Sequence, residues 1–195
     1  MLKILYIGQY AKVKKNLQDL GALVVNEEAV RNGMDYNGTV VTAPLRPEEL
    51  NYKAPLIVSG NPNYTYRNIG VLVLEENEIE QFYKLQNINN LQECKDRLKE
   101  LGIKWLGVSL GKEKLKKCIS HNLPQVQAAQ VKITVQDVAK AKDTLTAILG
   151  YIYIKEGTLS ADAIRQAQIG ASLSIAGFAD NTNLKDYYLN IGLRK

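Results

Sequence analysis

The sequence predicts an α/β protein: a doubly wound, mainly parallel sheet at the N-terminus, followed by a mostly helical second half. Three observations carry that prediction. Leu2 to Gly8, LKILYIG, is a run of strand-forming apolar residues ending in glycine, and a helical pattern from Ala11 to Leu20 follows at once. Strand, tight glycine turn and helix make the opening unit of an open parallel sheet. The later apolar runs ALVV, TVVTAPL, APLIVSG and IGVLVLE lack polar alternation, as strands do when helices cover both faces of a sheet. From Lys112 onward, helical periodicities dominate.

Each element has its local reason. The first helix turns Ala11, Val13, Leu17 and Leu20 inward and Lys12, Lys14, Lys15 and Asp19 outward, and Gly21 ends it. Ala22–Val25 is a short buried strand, and Glu27–Arg31 a short helix closed by Asn32-Gly33. Asn37-Gly38 turns into a third strand, Thr39–Leu45; prolines 44 and 47 end it and open a short helix, Glu48–Tyr52. Ala54–Gly60 and Ile69–Glu75 are the fourth and fifth strands, with a helix over Glu78–Leu85. The links after strands three and four are shorter than the roughly dozen residues of a parallel crossover. That calls for an irregular crossover or one antiparallel edge.

Leu91, Cys94, Leu98 and Leu101 mark an amphipathic helix stopped by Gly102, and Ile103–Leu110 reads as another strand. A basic helix, Lys112–His121, and a Leu-Pro/Gln/Ala linker follow. Thr134 and Asp137 resemble a capping box opening a helix through Ile152, and Ser160 caps a helix from Ala161 to about Phe178. That last helix is apolar nearly all round, which predicts burial or a homodimer interface. Asn183 caps a short terminal helix.

At 195 residues and 46% hydrophobic content, the chain fits one large domain or two small ones. The expected division is 1–88, an α/β unit, and 89–195, a basic and mostly helical region that stands alone or packs on the first. No apolar run approaches the ~20 residues of a membrane span. The N-terminus has no signal-peptide pattern, so a cytoplasmic protein without membrane contact is expected. Cys94 and Cys118 lack metal-ligand spacing and read as semi-buried small residues, so neither a disulfide nor a metal is expected. Residues 1–110 hold 13 basic and 13 acidic side chains, whereas 111–195 hold 12 and 7, so the net charge of +5 lies wholly in the second half. Within it Lys112, Lys114, Lys116 and Lys117 cluster, which suggests contact with nucleic acid or another acidic partner.

Ligands in open α/β sheets sit at the carboxyl ends of the strands. There the sequence offers Gln9, Thr42, Ser59 and Asn61 as ligand-binding candidates, then Glu75-Glu76. The first three strand ends carry no Asp, His or Cys for acid–base or nucleophilic chemistry, and the single histidine, His121, lies elsewhere. No catalytic residue and no cofactor is predicted. Gly107 to Lys112 follows a strand in the manner of a phosphate loop. It is one residue short between its glycines, and Glu113 stands where a magnesium-binding hydroxyl belongs.

The order and lengths of the first five strands resemble a receiver domain of the response-regulator family, over roughly residues 1–85. LKILYIG sits where that family has its first strand, GTVVTAPL its third, and APLIVSG ends in Ser59, where the family carries a switch serine or threonine. The family's acidic pair is Gly8-Gln9 here; its phosphorylated aspartate falls near Thr42, and its lysine near Leu74-Glu75. The resemblance therefore implies a flavodoxin-like pseudo-receiver that docks or dimerises without phosphorylation. The expected function is a non-enzymatic regulatory or assembly protein, with a receiver-like scaffold and a basic half that binds nucleic acid or a protein partner. The alternative is a small α/β enzyme or ligand-binding protein using the strand ends.

Overall fold

The structure, a computed structural model, describes residues 1–109, 117–120, 126–127 and 141–175. The first strand, β1 (Lys3–Ile7), leads into α1 (Ala11–Asp19), then β2 (Leu23–Val25), the one-turn α2 (Glu27–Arg31) and β3 (Gly38–Val41). A 3-10 turn over Pro47–Glu49 precedes β4 (Leu56–Ser59); β5 (Val71–Glu75) runs into α3 (Glu76–Gln86), and α4 (Leu91–Glu100) precedes β6 (Trp105–Ser109). Then come β7 (Lys117–Ser120), β8 (Val126–Gln127), α5 (Ala141–Glu156) and α6 (Ala161–Ile175). One sheet holds all the described strands in the order β2-β1-β3-β4-β5-β6-β7-β8. The first six are parallel, with Val40 opposite Ile57 and Leu72 opposite Leu106 in register; β7 and β8 are added antiparallel.

Alternation along each strand divides two cores. Ile4, Tyr6, Val40, Ile57, Val71, Val73 and Trp105 face α1, α5 and α6. Leu5, Val41, Val58, Leu72, Leu74 and Leu106 face α3 and α4, meeting Phe82, Cys94 and Leu98. Both faces of the strands are buried, which is why these segments read as continuous apolar runs. Asparagines punctuate the second layer. Asn90 Oδ1 accepts from the Glu93 N–H at 2.9 Å and starts α4, while Asn87, at φ 55°, ends α3 in the left-handed conformation.

Several expectations change. Lys117–Ser120 is strand rather than the end of a basic helix. Leu115, Cys118 and Ile119 fit a helical period, but the free edge of β6 offers a row of unpaired backbone groups, and a strand satisfies them. The supposed linker after Pro124 contributes β8. The second half is therefore not simply helical: it supplies β6, β7 and β8, and the sheet continues past residue 88. The third strand closes at Val41, and the short helix after it shrinks to the 3-10 turn. The predicted starts at Thr134 and Asn183, and the segment after Ile175, lie outside the described residues.

The element that unites the molecule is α5. Seven consecutive residues, Thr144 to Gly150, are buried, because the helix lies between the sheet on one side and α1 and α6 on the other. It runs antiparallel to the strands. Lys142 reaches Gly60 after β4, Gly150 meets Val40 and Ile57 at mid-sheet, and Ile154 meets Gly38 where β3 begins. The approach is so close that a Cβ on Gly150 would lie 2.7 Å from Val40 Cγ2. Gly150→Ala should therefore destabilise the protein, although alanine favours an exposed helix over glycine by about 1 kcal/mol. Overpacking against the stiff Val40 costs about 1–3 kcal/mol. Urea denaturation should show a lower midpoint with an unchanged slope.

Candidate active site

The carboxyl ends of β1, β3, β4 and β5 and the first turn of α5 converge on one group of polar side chains. Strand β1 brings Tyr6, whose hydroxyl shares a 2.8 Å hydrogen bond with Thr42 Oγ1 just past β3. The Tyr10 N–H donates to the same phenol oxygen at 3.2 Å. Gly8 is needed beneath this arrangement, since a Cβ there would collide with Thr42 Oγ1 and lie 2.5 Å from Tyr6 Oη. This is where the strand order reverses on either side of β1, the usual position of a ligand in such sheets.

On the other side, β5 passes into α3 without a loop. Glu75 is its N-cap, and the Glu75 N–H donates to Glu78 Oε2 at 2.7 Å, a reciprocal cap that fixes the Glu78 carboxylate. Lys142, on α5, crosses the top of the sheet. Its Nζ donates to the Gly60 carbonyl at 2.8 Å and to Glu78 Oε2 at 2.7 Å, with the two side chains only 12% and 23% exposed. Asp143 stands next to it in the first turn. Burial, chiefly, and the nearby Glu75 charge push its carboxyl up to about 6, while the Lys142 charge opposes the rise. The Asp143 charge also helps burial hold the Tyr6 phenol above its ordinary value, which places the two groups in one electrostatic neighbourhood.

A cavity of about 390 Å³ opens beside Tyr6, at the ends of β1 and β2. Gly8, Gln9, Tyr10, Lys14 and Asn26 line it together with apolar residues of β2. Of the ligand candidates named from sequence, Thr42 lies within the cluster and Gln9 on this cavity. Ser59 ends β4. The Asn61 side chain is spent within its own loop, Oδ1 accepting from the Asn63 N–H at 3.0 Å. Lys112, Lys114 and Lys116 lie outside the described residues, and Lys117 opens β7. Sequence reasoning missed Tyr6, Glu78, Lys142 and Asp143. The available signal was a Lys-Asp pair directly ahead of the apolar run Leu145–Ile154.

No family model matches the chain, and no curated protein matches it. Solved structures do. A mutant form of Escherichia coli phosphofructokinase-2 aligns with TM-score 0.66 and 11% identity over 90% of this chain and 93% of that one. Staphylococcus aureus pyridoxal kinase, in complex with AMP-PCP, aligns at 0.65 and 14% over 90% and 88%. The Methanocaldococcus jannaschii nucleoside kinase, an archaeal member of the ribokinase family, aligns at 0.61 and 12% over 90% and 92%. Against Thermotoga maritima ribokinase, the chain covers 50% of that chain.

The protein thus has an α/β architecture, and in particular a ribokinase-like fold. This overturns the receiver resemblance and its flavodoxin-like assignment. Five strands in the same spatial order occur in both architectures, but here the sheet continues through β6 to β8 and α5 lies across it. The expectation of a non-enzymatic regulatory or assembly protein, with its nucleic-acid-binding role, is overturned with it, since the matched structures are kinases. Among the described residues, no helix is long and apolar enough to cross a membrane.

The elevated Asp143 sets a stability profile. An acid whose folded pKa exceeds its unfolded value stabilises the fold when protonated, and loses that contribution as pH rises. Between the ordinary value of 3.8 and about 6, the wild type should therefore lose stability relative to Asp143→Asn, and the difference should level off above that range. Denaturation midpoints of both proteins across pH ~3.5 to ~7.5 check this.

Proposed function

We propose that this chain is a small-molecule phosphotransferase working at the carboxyl ends of β1, β3, β4 and β5. The observation that supports it most is Asp143, a carboxylate poised at about 6 on the first turn of α5. Phosphoryl transfer asks little covalent chemistry of a protein. It needs in-line positioning, stabilisation of charge on the transferred group, and a carboxylate to receive the acceptor proton. The N-terminus of a 16-residue helix directs backbone N–H groups and the positive end of its dipole toward an anion. A general base works best with its pKa near the operating pH, and burial supplies that here.

In this reading the acceptor lies in the cavity beside Tyr6, with Gln9 and the amide nitrogen of Asn26, whose Oδ1 caps α2, as hydrogen-bonding partners. Its hydroxyl oxygen attacks the terminal phosphorus of a nucleoside triphosphate, and the hydroxyl proton passes to the Asp143 carboxylate. The bond from that phosphorus to the bridging oxygen breaks, and a nucleoside diphosphate leaves. Tyr6, tied to Thr42 and to the Tyr10 backbone, borders the cavity and feels the Asp143 charge, so an acceptor seated there turns its hydroxyl past the phenol toward the base. The kinases with this fold named above lend the reading its class of reaction; the acceptor of this chain is its own question.

The test is acceptor-dependent release of ADP from ATP, with a nucleoside, ribose and pyridoxal supplied in turn. At least one should support turnover, and Asp143→Asn should lower kcat by about 10²–10⁴-fold. Equal turnover by the variant, or no acceptor-dependent ADP, would contradict the assignment.

A further inference from the structure

The Lys142 side chain is a cation on the first turn of α5, folded across the strand ends on to oxygen atoms of the opposite layer. A surface lysine has no reason to be there. Drawing an ammonium out of water costs several kcal/mol, and a helix N-terminus is the wrong end for a positive charge. The sheet would accept a methionine or leucine of similar length without either penalty. Glu78 pairs with it, and the Asp143 carboxyl feels both its charge and that of Glu75. These three carboxylates leave the site with a surplus of negative charge. An incoming polyphosphate would be repelled unless a cation offset it.

The lysine is the cation that the site itself supplies. Among the described residues, no three of His, Cys, Asp or Glu are grouped to hold a metal ion. Glu78 Oε2 already accepts from both Lys142 Nζ and the Glu75 N–H.

We propose that Lys142 is the tethered cation of the phosphate site, parked on Glu78 and the Gly60 carbonyl and passed to the phosphoryl oxygens when a polyphosphate arrives. The proposal rests on the phosphotransferase reading and adds to it a named anion ligand and a competitor. Glu78 and the phosphate share one ammonium, so Glu78 holds Lys142 in place before the anion binds and weakens anion binding. An ammonium on a four-carbon stem has the reach and rotational freedom for such an exchange, and Glu78 keeps the Glu75 N–H when the lysine leaves.

Calorimetric titration with inorganic tripolyphosphate in EDTA tests this on three full-length proteins: wild type, Glu78→Gln, and Lys142→Ala combined with Glu78→Gln. The double variant removes both charges together, so no buried carboxylate is stranded, and circular dichroism confirms its fold. Wild type should bind without a divalent ion, Glu78→Gln should bind more tightly, and the double variant should bind about tenfold or more weakly than Glu78→Gln, as expected for a lost charge-assisted bond. Equal affinity of the two variants, or no metal-free binding by wild type, would overturn the proposal. The two readings fail separately. Acceptor phosphorylation with equal affinities sinks Lys142 alone, and Lys142-dependent binding without phosphorylation sinks the transferase reading alone.

Discussion

The contact between α5 and the sheet is the constraint on which the other features depend. A helix buried along seven consecutive residues must be apolar on nearly every side, and it must approach the strands closely enough to leave no void. Gly150 against Val40, Gly38 against Ile154 and Gly70 against Tyr153 are the places where a side chain would hold it off. Thr146 is fully buried, yet its hydroxyl donates to the Lys142 carbonyl one turn earlier at 2.8 Å, so the helix carries this polar group at little cost. With the axis fixed in this way, the first turn of α5 has one possible location, over the carboxyl ends of β4 and β5.

That location brings the charged side chains together. Asp143 is held where burial raises it, and Lys142 spans from the layer of α1, α5 and α6 to Glu78 in the layer of α3 and α4. Glu78 is in turn fixed because β5 becomes α3 without a loop, so its position is inherited from the most buried strands of the sheet. Tyr66, 1% exposed, receives the Asn61 N–H at 2.9 Å and pins the loop after β4, and with it the Gly60 carbonyl that Lys142 uses. A partly buried ion pair of this kind contributes little net stability against its desolvation cost. Its value lies in holding charges where they can be used.

Much of the architecture was legible in local pattern. LKILYIG followed by the Ala11 helix is β1 and α1; the apolar runs are β2 to β5, and the Leu91–Leu101 spacing is α4. What was not legible depends on distant partners. Cys118 and Ile119 suit a helix or a strand, and only the edge of β6 decides between them. Part of the candidate site was visible, since Thr42 and Gln9 were picked out as strand-end residues and lie in the polar cluster and on the cavity. Its charged half was hidden, because Lys142 and Asp143 sit inside a stretch that reads as helix from Thr134 onward. The pairs that define them span 64 and 82 positions of sequence. Local periodicity describes a helix and says nothing about where its first turn will lie.

In the proposed reading, the first turn of α5, Glu78 and the β1–β3 strand ends form one phosphate-binding site. Backbone amide NMR during titration with the non-hydrolysable nucleotide AMP-PCP tests it most directly. The largest shifts should fall together on Gly8 to Tyr10, Thr42, Gly60, Glu75 to Glu78 and Lys142 to Thr144. Shifts confined to other surfaces, with these amides unmoved at saturation, would contradict it.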